Sequence, residues 1–259
     1  MCTLVALHRC APGAHLWVAA NRDEFHARPA EGPALRAGRN GPIVAPLDLR
    51  AGGTWWGVNA HGLFAAVTNR PAPFADPSKR SRGQIVLDLL AAGSAREAAA
   101  IAASLGAGRY NPFNLFVADA TDAFAVVYEE APSLRPLAPG VHVVGNVDPD
   151  ARDVPKIRRT MERAEQVAAG PADAIRDGLA AICRTHGDDV DPRGDTCVHL
   201  GGYGTRSSSL LRLGSAGDRL EHAAGPPCTS AYQDFTPLLS ELGRTASLQP
   251  GRTATRKAS

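Results

Sequence analysis

Long hydrophobic runs are missing from this sequence. Its apolar stretches reach only about five to seven residues, whereas a membrane helix needs roughly 20, so no span is expected. Charge of one sign is missing too, with 28 basic against 26 acidic residues in 259 and a net charge of +2. So balanced a chain carries no footprint for nucleic acid, which demands clustered positive charge. The phosphate-cradling G-x-G-x-x-G and G-K-[ST] loops are absent, as are the G-x-S-x-G elbow and H-E-x-x-H. The five cysteines (Cys2, Cys10, Cys183, Cys197, Cys228) contain no C-x-x-C pair and no Cys/His cluster at zinc-ligand spacing. At least four of them read as reduced thiols of a cytoplasmic protein. From Met1 to Arg9 the basic residue follows a short apolar run, the reverse of a secretory signal, so none is expected.

What is present is ordinary globular usage, 44% hydrophobic and 21% charged, enough for a large core. Short β-prone runs come in pairs: Thr3–His8 with His15–Ala20, and Thr54–Asn59 with Leu63–Asn69 around the Ala60-His61-Gly62 turn. The period then becomes helical, with Ile85, Val86, Leu89 and Leu90 on one face. Ser94-Ala95-Arg96-Glu97 is a capping box opening a helix through Leu105. Strands are expected again at Phe113–Asp119, Ala123–Glu129 and Val141–Gly145. Helices follow at Asp153–Ala168 and Pro171–Cys183, then strands at Thr196–Leu200, Ser208–Leu213 and Arg219–His222. Hairpin-like strand runs with paired helices between them argue for antiparallel sheets in an α+β layered fold. Residues 1–243 read as one domain, and the Arg-, Thr- and Ser-rich stretch 244–259 as a disordered tail.

Cys2 is the feature that carries chemistry. Removal of Met1, favoured by a small second residue, leaves a thiol and a free α-amine on one residue. The amine (pKa about 7.7–8.0) can take the proton of the thiol (pKa about 8.5), uniting nucleophile and base. On position alone, Cys2 reads more readily as the start of a buried strand. Further regions stand beside it. Asn21-Arg22-Asp23-Glu24 places four polar residues after an apolar strand, and by itself reads as a solvated turn. Gly52-Gly53-Thr54-Trp55-Trp56 leads on to Thr68-Asn69-Arg70 at a strand end. Asn146 ends another apolar strand, and Tyr203-Gly204-Thr205-Arg206-Ser207-Ser208 precedes a third. Taken singly, Asn69 and Asn146 fit strand-end turn chemistry. Trp55 and Trp56 fit core or rim packing, and His61, His142 and His199 read as structural rather than metal-binding.

These segments, with Pro155-Lys156, fall in order through residues 1–215, and the sequence resembles the NRDE family, also called the transport-and-Golgi-organisation family. The resemblance implies an N-terminal-nucleophile (Ntn) hydrolase fold, a four-layer αββα sandwich of two antiparallel sheets. A more distant likeness to choloylglycine hydrolases and penicillin V acylases implies the roles. They begin Met-Cys and carry an Arg-Asn-x-Asp element, whose asparagine falls on Asn21, aspartate on Asp23 and arginine on Ala20. Here the arginine stands at Arg22. Their oxyanion donors match Asn69 and Asn146, and their late arginine matches Arg206.

The implied site is therefore Cys2, Arg22, Asp23, Asn69, Asn146 and Arg206, with no cofactor or metal for catalysis. Asn69 would give its main-chain N–H and Asn146 its side-chain amide to an oxyanion, each worth about 3–4 kcal/mol. Asp23 would hold the α-ammonium group, and Arg22 or Arg206 would favour the thiolate. The expected activity is cleavage of an amide or acyl thioester of a small or lipid-like substrate. The rival is a binding protein for haem, lipid or acyl-CoA, in which Cys2, His8 or His26 touches haem iron. A scaffold without chemistry is a third reading.

Overall fold

Strands that are apolar on both faces need cover on both sides of their sheet. Thr3–His8 (β1), Phe113–Ala118 (β7) and Ala123–Tyr128 (β8) are buried along their whole length. The computed structural model describes residues 2–188 and 190–247, except for the side chains of 246 and 247, and meets that demand with four layers. The other strands are β2 (Leu16–Phe25), β3 (Ala30–Gly38), β4 (Gly41–Asp48), β5 (Trp56–Asn59), β6 (Phe64–Asn69), β9 (Pro132–Leu137), β10 (Gly140–Val144), β11 (His199–Leu200), β12 (Tyr203–Leu213), β13 (Arg219–Ala223) and β14 (Gln233–Asp234). The helices are α1 (Arg82–Leu89), α2 (Ala95–Ala103), α3 (Pro155–Ala168), α4 (Ile175–Cys183) and α5 (Thr236–Ser247).

One antiparallel sheet runs β10-β1-β2-β12-β13-β14, with β11 also paired to β12. The other runs β3-β4-β5-β6-β7-β8-β9. Leu4, Ala6, Leu16 and Val18 meet Phe64, Ala66 and Phe116 in a core between the sheets, which α5 closes at one side with Leu239 and Leu242. The alternate residues Val5, Leu7, Trp17 and Ala19 face outward to α3 and α4. On the far side, α1 and α2 pack Ile85, Leu89, Ala98 and Ala102 on β6 to β8. This is the expected αββα arrangement.

Several boundaries differ from the sequence reading. β2 does not stop at Ala20 but continues through Asn21-Arg22-Asp23-Glu24, because β12 pairs with it from Phe25↔Tyr203 to Leu16↔Leu213. Polar residues thus stand in a central strand, where neighbouring strands rather than solvent satisfy the backbone. Strands β3, β4 and β9 carry no clear alternation. β9 is mostly exposed, contains Pro132 and Pro136, and lies at a sheet edge, where missing N–H groups are tolerated. Of Thr196–Leu200 only His199–Leu200 is strand. Helix α5 runs to Ser247, into the stretch expected as tail. The remainder of that tail lies outside the described residues.

Candidate active site

Cys2 precedes β1, next to the Thr3↔Asn21 pair of β1 and β2. Continuing that register sets Cys2 opposite Arg22, on the face that Leu4 and Val18 turn toward the other sheet. Ala20 and Arg22 are two residues apart and so share this face. The arginine's displacement along the strand keeps its side chain on Cys2's side. Asn21 and Asp23 point the other way, toward the helical layer.

Asn21 donates its side-chain amide to the carbonyls of Cys183 (2.8 Å) and Thr196 (2.9 Å), tying the end of α4 to the segment before β11. The first residue of the tetrapeptide is thus a strut. Asp23 is buried and accepts a hydrogen bond from the Thr205 hydroxyl at 2.6 Å. That hydroxyl in turn accepts the Val198 N–H at 2.9 Å. The Tyr203 hydroxyl donates to the Asp23 main-chain carbonyl at 3.2 Å. Burial pushes the Asp23 carboxyl above its usual range, against the pull of Thr205 and Lys156. Burial likewise pushes the Cys2 thiol up and the Asp23 carboxylate adds to it, while an Asp23 main-chain hydrogen bond and Arg22 draw it down.

Arg22 is buried with its guanidinium 4.5 Å from the centre of the Trp55 ring, a cation–π contact. Burial lowers its pKa, and Cys2, Glu24 and Asp48 pull it back. Arg82, the first residue of α1, donates to the Pro112 carbonyl at 3.0 Å and is also within the field of Cys2. Lys156, near the start of α3, is the third cation. Its Nζ is buried with no hydrogen-bond partner among the described residues. Burial lowers its pKa, with Asp23 and then Asp195 opposing. Sequence reasoning gave no role to Arg82, Thr205 or Lys156, although Pro155-Lys156 stood among the matching segments.

On the opposite sheet, Thr68-Asn69-Arg70 acts as a clasp. Thr68 donates its hydroxyl to the Gly145 carbonyl at 2.5 Å. The Asn69 carbonyl accepts from the Asn146 side-chain amide, and Arg70 donates to Asp148 at 2.8 Å. Asn114 adds bonds to the Gly145 and Val147 carbonyls at 3.1 and 2.6 Å. The loop after β10 is thereby fastened across the two sheets, with Asn146 beside Asn69.

Val67 donates its N–H to Trp55 O at 2.9 Å on one side of β6, and Arg70 donates to Pro112 O at 3.0 Å on the other. By alternation the Asn69 N–H points to the Trp55 side. There the chain has already turned away, so that Thr54 N–H bonds Gly83 O at 3.1 Å. Glycine is required at that turn: a Cβ on Gly53 would lie 2.6 Å from the Gly83 carbonyl carbon.

These groups line a cleft of about 620 Å³. Cys2, Arg22, Asp23 and Asn69 are in its wall, with Arg82, Trp55, Phe25 and Tyr203. Asn146 is bonded to the wall residue Asn69. Arg206 stands elsewhere. It sits at a β-bulge, where the β2–β12 register shifts between Thr205 and Ser207, and bulges re-aim side chains. It lines a smaller hollow with Arg22, Trp55 and His222, and its Nε is buried without a hydrogen-bond partner among the described residues. Arg22 and Trp55 form the wall between the two spaces. Among the described residues no histidine lines the cleft. His8 is buried at the other end of β1 and bonds the Asp119 carbonyl through Nε2 at 3.1 Å; His26 is exposed. Away from the cleft, the fold brings His186, Cys197, His199 and Cys228 together, a grouping their sequence spacing did not suggest.

A family model described as Transport and Golgi organisation 2 matches residues 1–220. The human Transport and Golgi organization protein 2 homolog is 29% identical over 230 residues, covering 78% of this chain and 83% of the human protein. The mouse homologue is 28% identical over the same shares. Among solved structures, a mutant conjugated bile acid hydrolase from Clostridium perfringens superposes with a TM-score of 0.51 at 13% identity, covering 92% of this chain and 93% of that one. A Caenorhabditis elegans N-acylethanolamine-hydrolyzing acid amidase orthologue gives 0.53 at 11%, covering 81% and 92%. The fold is that of the Ntn hydrolases.

Proposed function

The chain belongs to the transport and Golgi organisation 2 family, and on that footing we propose that it is an N-terminal thiol hydrolase cleaving an amide or acyl thioester of a substrate that carries an anionic group. The observation carrying this reading is the presence of Cys2, Arg22, Asp23 and Asn69 in one cleft, with Asn146 bonded to Asn69. Removal of Met1 frees the Cys2 α-amine, which accepts the thiol proton and becomes an ammonium group held by Asp23. The thiolate attacks the acyl carbon. The carbonyl electron pair moves onto oxygen, where the Asn69 N–H and the second proton of the Asn146 amide meet it; one such donor is worth about 3–4 kcal/mol. As the tetrahedral centre collapses, the ammonium proton goes to the departing amine or thiol. Water then attacks the thioester with the same α-amine as base, releasing the acid and restoring the thiol. Arg22 and Arg82 offset the charge of the thiolate.

The lining also supports the substrate class. Arg28 pairs with Asp48 at 2.5 Å, and Arg80 pairs at 2.6 Å with Asp88, which it shares with Arg39. Arg22, Arg50, Lys79 and Arg82 are further cations in the wall, against the acidic Asp23, Glu24 and Asp76, beside the apolar surfaces of Phe25, Trp55, Val67 and Pro77. A carboxylate or phosphate on an apolar acyl body suits that mixture.

The test compares three forms: protein whose intact mass shows loss of Met1, protein with a non-removable residue before Cys2, and Cys2→Ala. N-acyl amino acids and acyl-CoA thioesters are the substrates. Turnover by the first form alone is expected, because the extension converts the α-amine into an amide without basicity. Equal rates in all three, or ligand binding without any acyl product, overturn the proposal.

A further inference from the structure

The second chemical cluster of the molecule lies at the edge of the first sheet. Cys197 is buried, in the segment that leads into β11, and His199 begins that strand. Cys228 sits in the turn closed by Thr229 N–H and Ser230 N–H on Pro226 O at 3.1 and 2.8 Å. His186 follows α4 and forms a parallel bridge with Cys197. Three separate segments thus contribute, and their four candidate ligand atoms all lie within 4.8 Å of one another.

The spacings discriminate between explanations. The sulfurs of Cys197 and Cys228 are 3.6 Å apart. A disulfide requires about 2.05 Å. A tetrahedral zinc ion with Zn–S near 2.3 Å and Zn–N near 2.0–2.1 Å sets its sulfurs about 3.8 Å apart and each sulfur about 3.6 Å from a ligating nitrogen. His199 Nε2 is 3.6 Å from Cys197 Sγ and 3.2 Å from Cys228 Sγ. Three edges of a tetrahedron are therefore nearly formed. His186 Nδ1 is 3.2 Å from the Cys197 carbonyl oxygen. With the proton on Nδ1 this is a hydrogen bond, and the lone pair is left on Nε2. Ligating histidines are commonly oriented by such a bond.

The geometry points to a structural Zn²⁺ site formed by His186, Cys197, His199 and Cys228. Two thiolates neutralise the divalent ion, and two sulfurs with two imidazoles in tetrahedral array select zinc among the common metals. Four protein ligands leave no open position, which makes the ion a staple and not a catalyst. It secures chain that carries little regular structure among the described residues, around His186 and Cys197 and in the 225–230 turn. Val198, between the two ligands Cys197 and His199, bonds the Thr205 hydroxyl that holds Asp23. The staple thus also steadies the support of the cleft.

The test uses the full chain carrying Cys2→Ala, which removes the competing cleft thiol. Metal-free protein is prepared with a chelator and reductant, then titrated with ZnCl₂ against a chromophoric zinc indicator, and separately with CoCl₂. The expected result is one Zn²⁺ per chain with submicromolar Kd. The cobalt form should show visible bands of tetrahedral intensity and near-ultraviolet thiolate charge transfer. Cys228→Ser and His199→Ala, each checked for native circular dichroism, should weaken zinc binding at least 10-fold and diminish those bands. Because Cys197 is buried, the surface variant His186→Ala serves as the further check. Absence of stoichiometric zinc binding, unchanged affinity in these variants, or a Cys197–Cys228 disulfide that forms equally fast with and without zinc overturns the site.

Discussion

The side-chain amide of Asn146 donates to the main-chain carbonyl of Asn69, joining the loop after β10 in one sheet to the end of β6 in the other. One amide proton is used in that bond and one is left. The contact fixes the amide, and in the proposed mechanism the remaining proton meets the oxyanion. In Asn146→Ala both are lost, and kcat should fall about 100-fold or more with KM nearly unchanged, as for loss of an oxyanion donor. Steady-state kinetics on the best substrate of the screen checks this. A change confined to KM would mean that Asn146 only helps shape the cleft.

Thr205→Val tests the support of Asp23. The substitution removes the donor to the carboxylate and the acceptor of the Val198 N–H, two buried contacts at 2.6 and 2.9 Å. Leaving such groups unsatisfied costs about 1–3 kcal/mol. A lower urea midpoint with unchanged m-value is expected, together with reduced kcat. Thr205→Ser, which keeps the hydroxyl, should restore most of both.

Acid should weaken the fold through His222. This residue is buried, its Nδ1 lies 3.0 Å from the Ser209 hydroxyl, and burial depresses its pKa to about 4. In the unfolded chain a histidine titrates near 6.5. Between those values the unfolded state binds the extra proton, so stability contributed by the neutral imidazole falls as pH drops from about 6.5 to about 4. Each pKa unit is worth about 1.36 kcal/mol, giving a loss of roughly 3 kcal/mol. Urea unfolding at pH 7 and pH 4.5 should show this slope in the wild type and a much shallower one in His222→Gln. Equal slopes would refute the assignment.

Ser94→Ala serves as a control remote from the cleft. The Ser94 hydroxyl accepts the Glu97 N–H at 3.2 Å at the start of α2, and Glu97 accepts the Gly93 N–H at 2.8 Å. Loss of the cap should cost about 1 kcal/mol. Thermal unfolding reads that loss, while kcat and KM should stay at wild-type values.

Much of this architecture is legible in the residue pattern, and where it is not the causes are physical. The capping box at Ser94 and the paired runs around Gly62 specify their structures locally. The fate of Asn21 to Glu24 is settled by β12, which comes some 180 residues later and supplies the cross-strand partners; locally those residues read as a turn. β9 shows no alternation because one edge and much of its surface face solvent. Cys2, Asp23 and Asn69 stand out because polar or reactive groups beside apolar strands are costly without a use. Lys156 is hidden within an ordinary amphipathic helix, since only the folded chain brings its amine under Asp23. Arg206, expected in the site from the resemblance, stands at the bulge, where a single extra residue turns it into the neighbouring hollow.

The proposed nucleophile Cys2 and the proposed oxyanion donor Asn69 stand at different sheets, and between those sheets lies the core built from Leu4, Val18, Phe64 and Phe116. The molecule is in effect a caliper whose gap is set by the thickness of that apolar filling. A misplacement of about 1 Å between reacting groups can cost about 100-fold in rate. Substitutions such as Phe116→Leu, far from any substrate, should therefore blunt catalysis well before they unfold the chain. Inherited or engineered changes in this filling would act as defects of spacing, with abundant, folded and inactive protein as their signature.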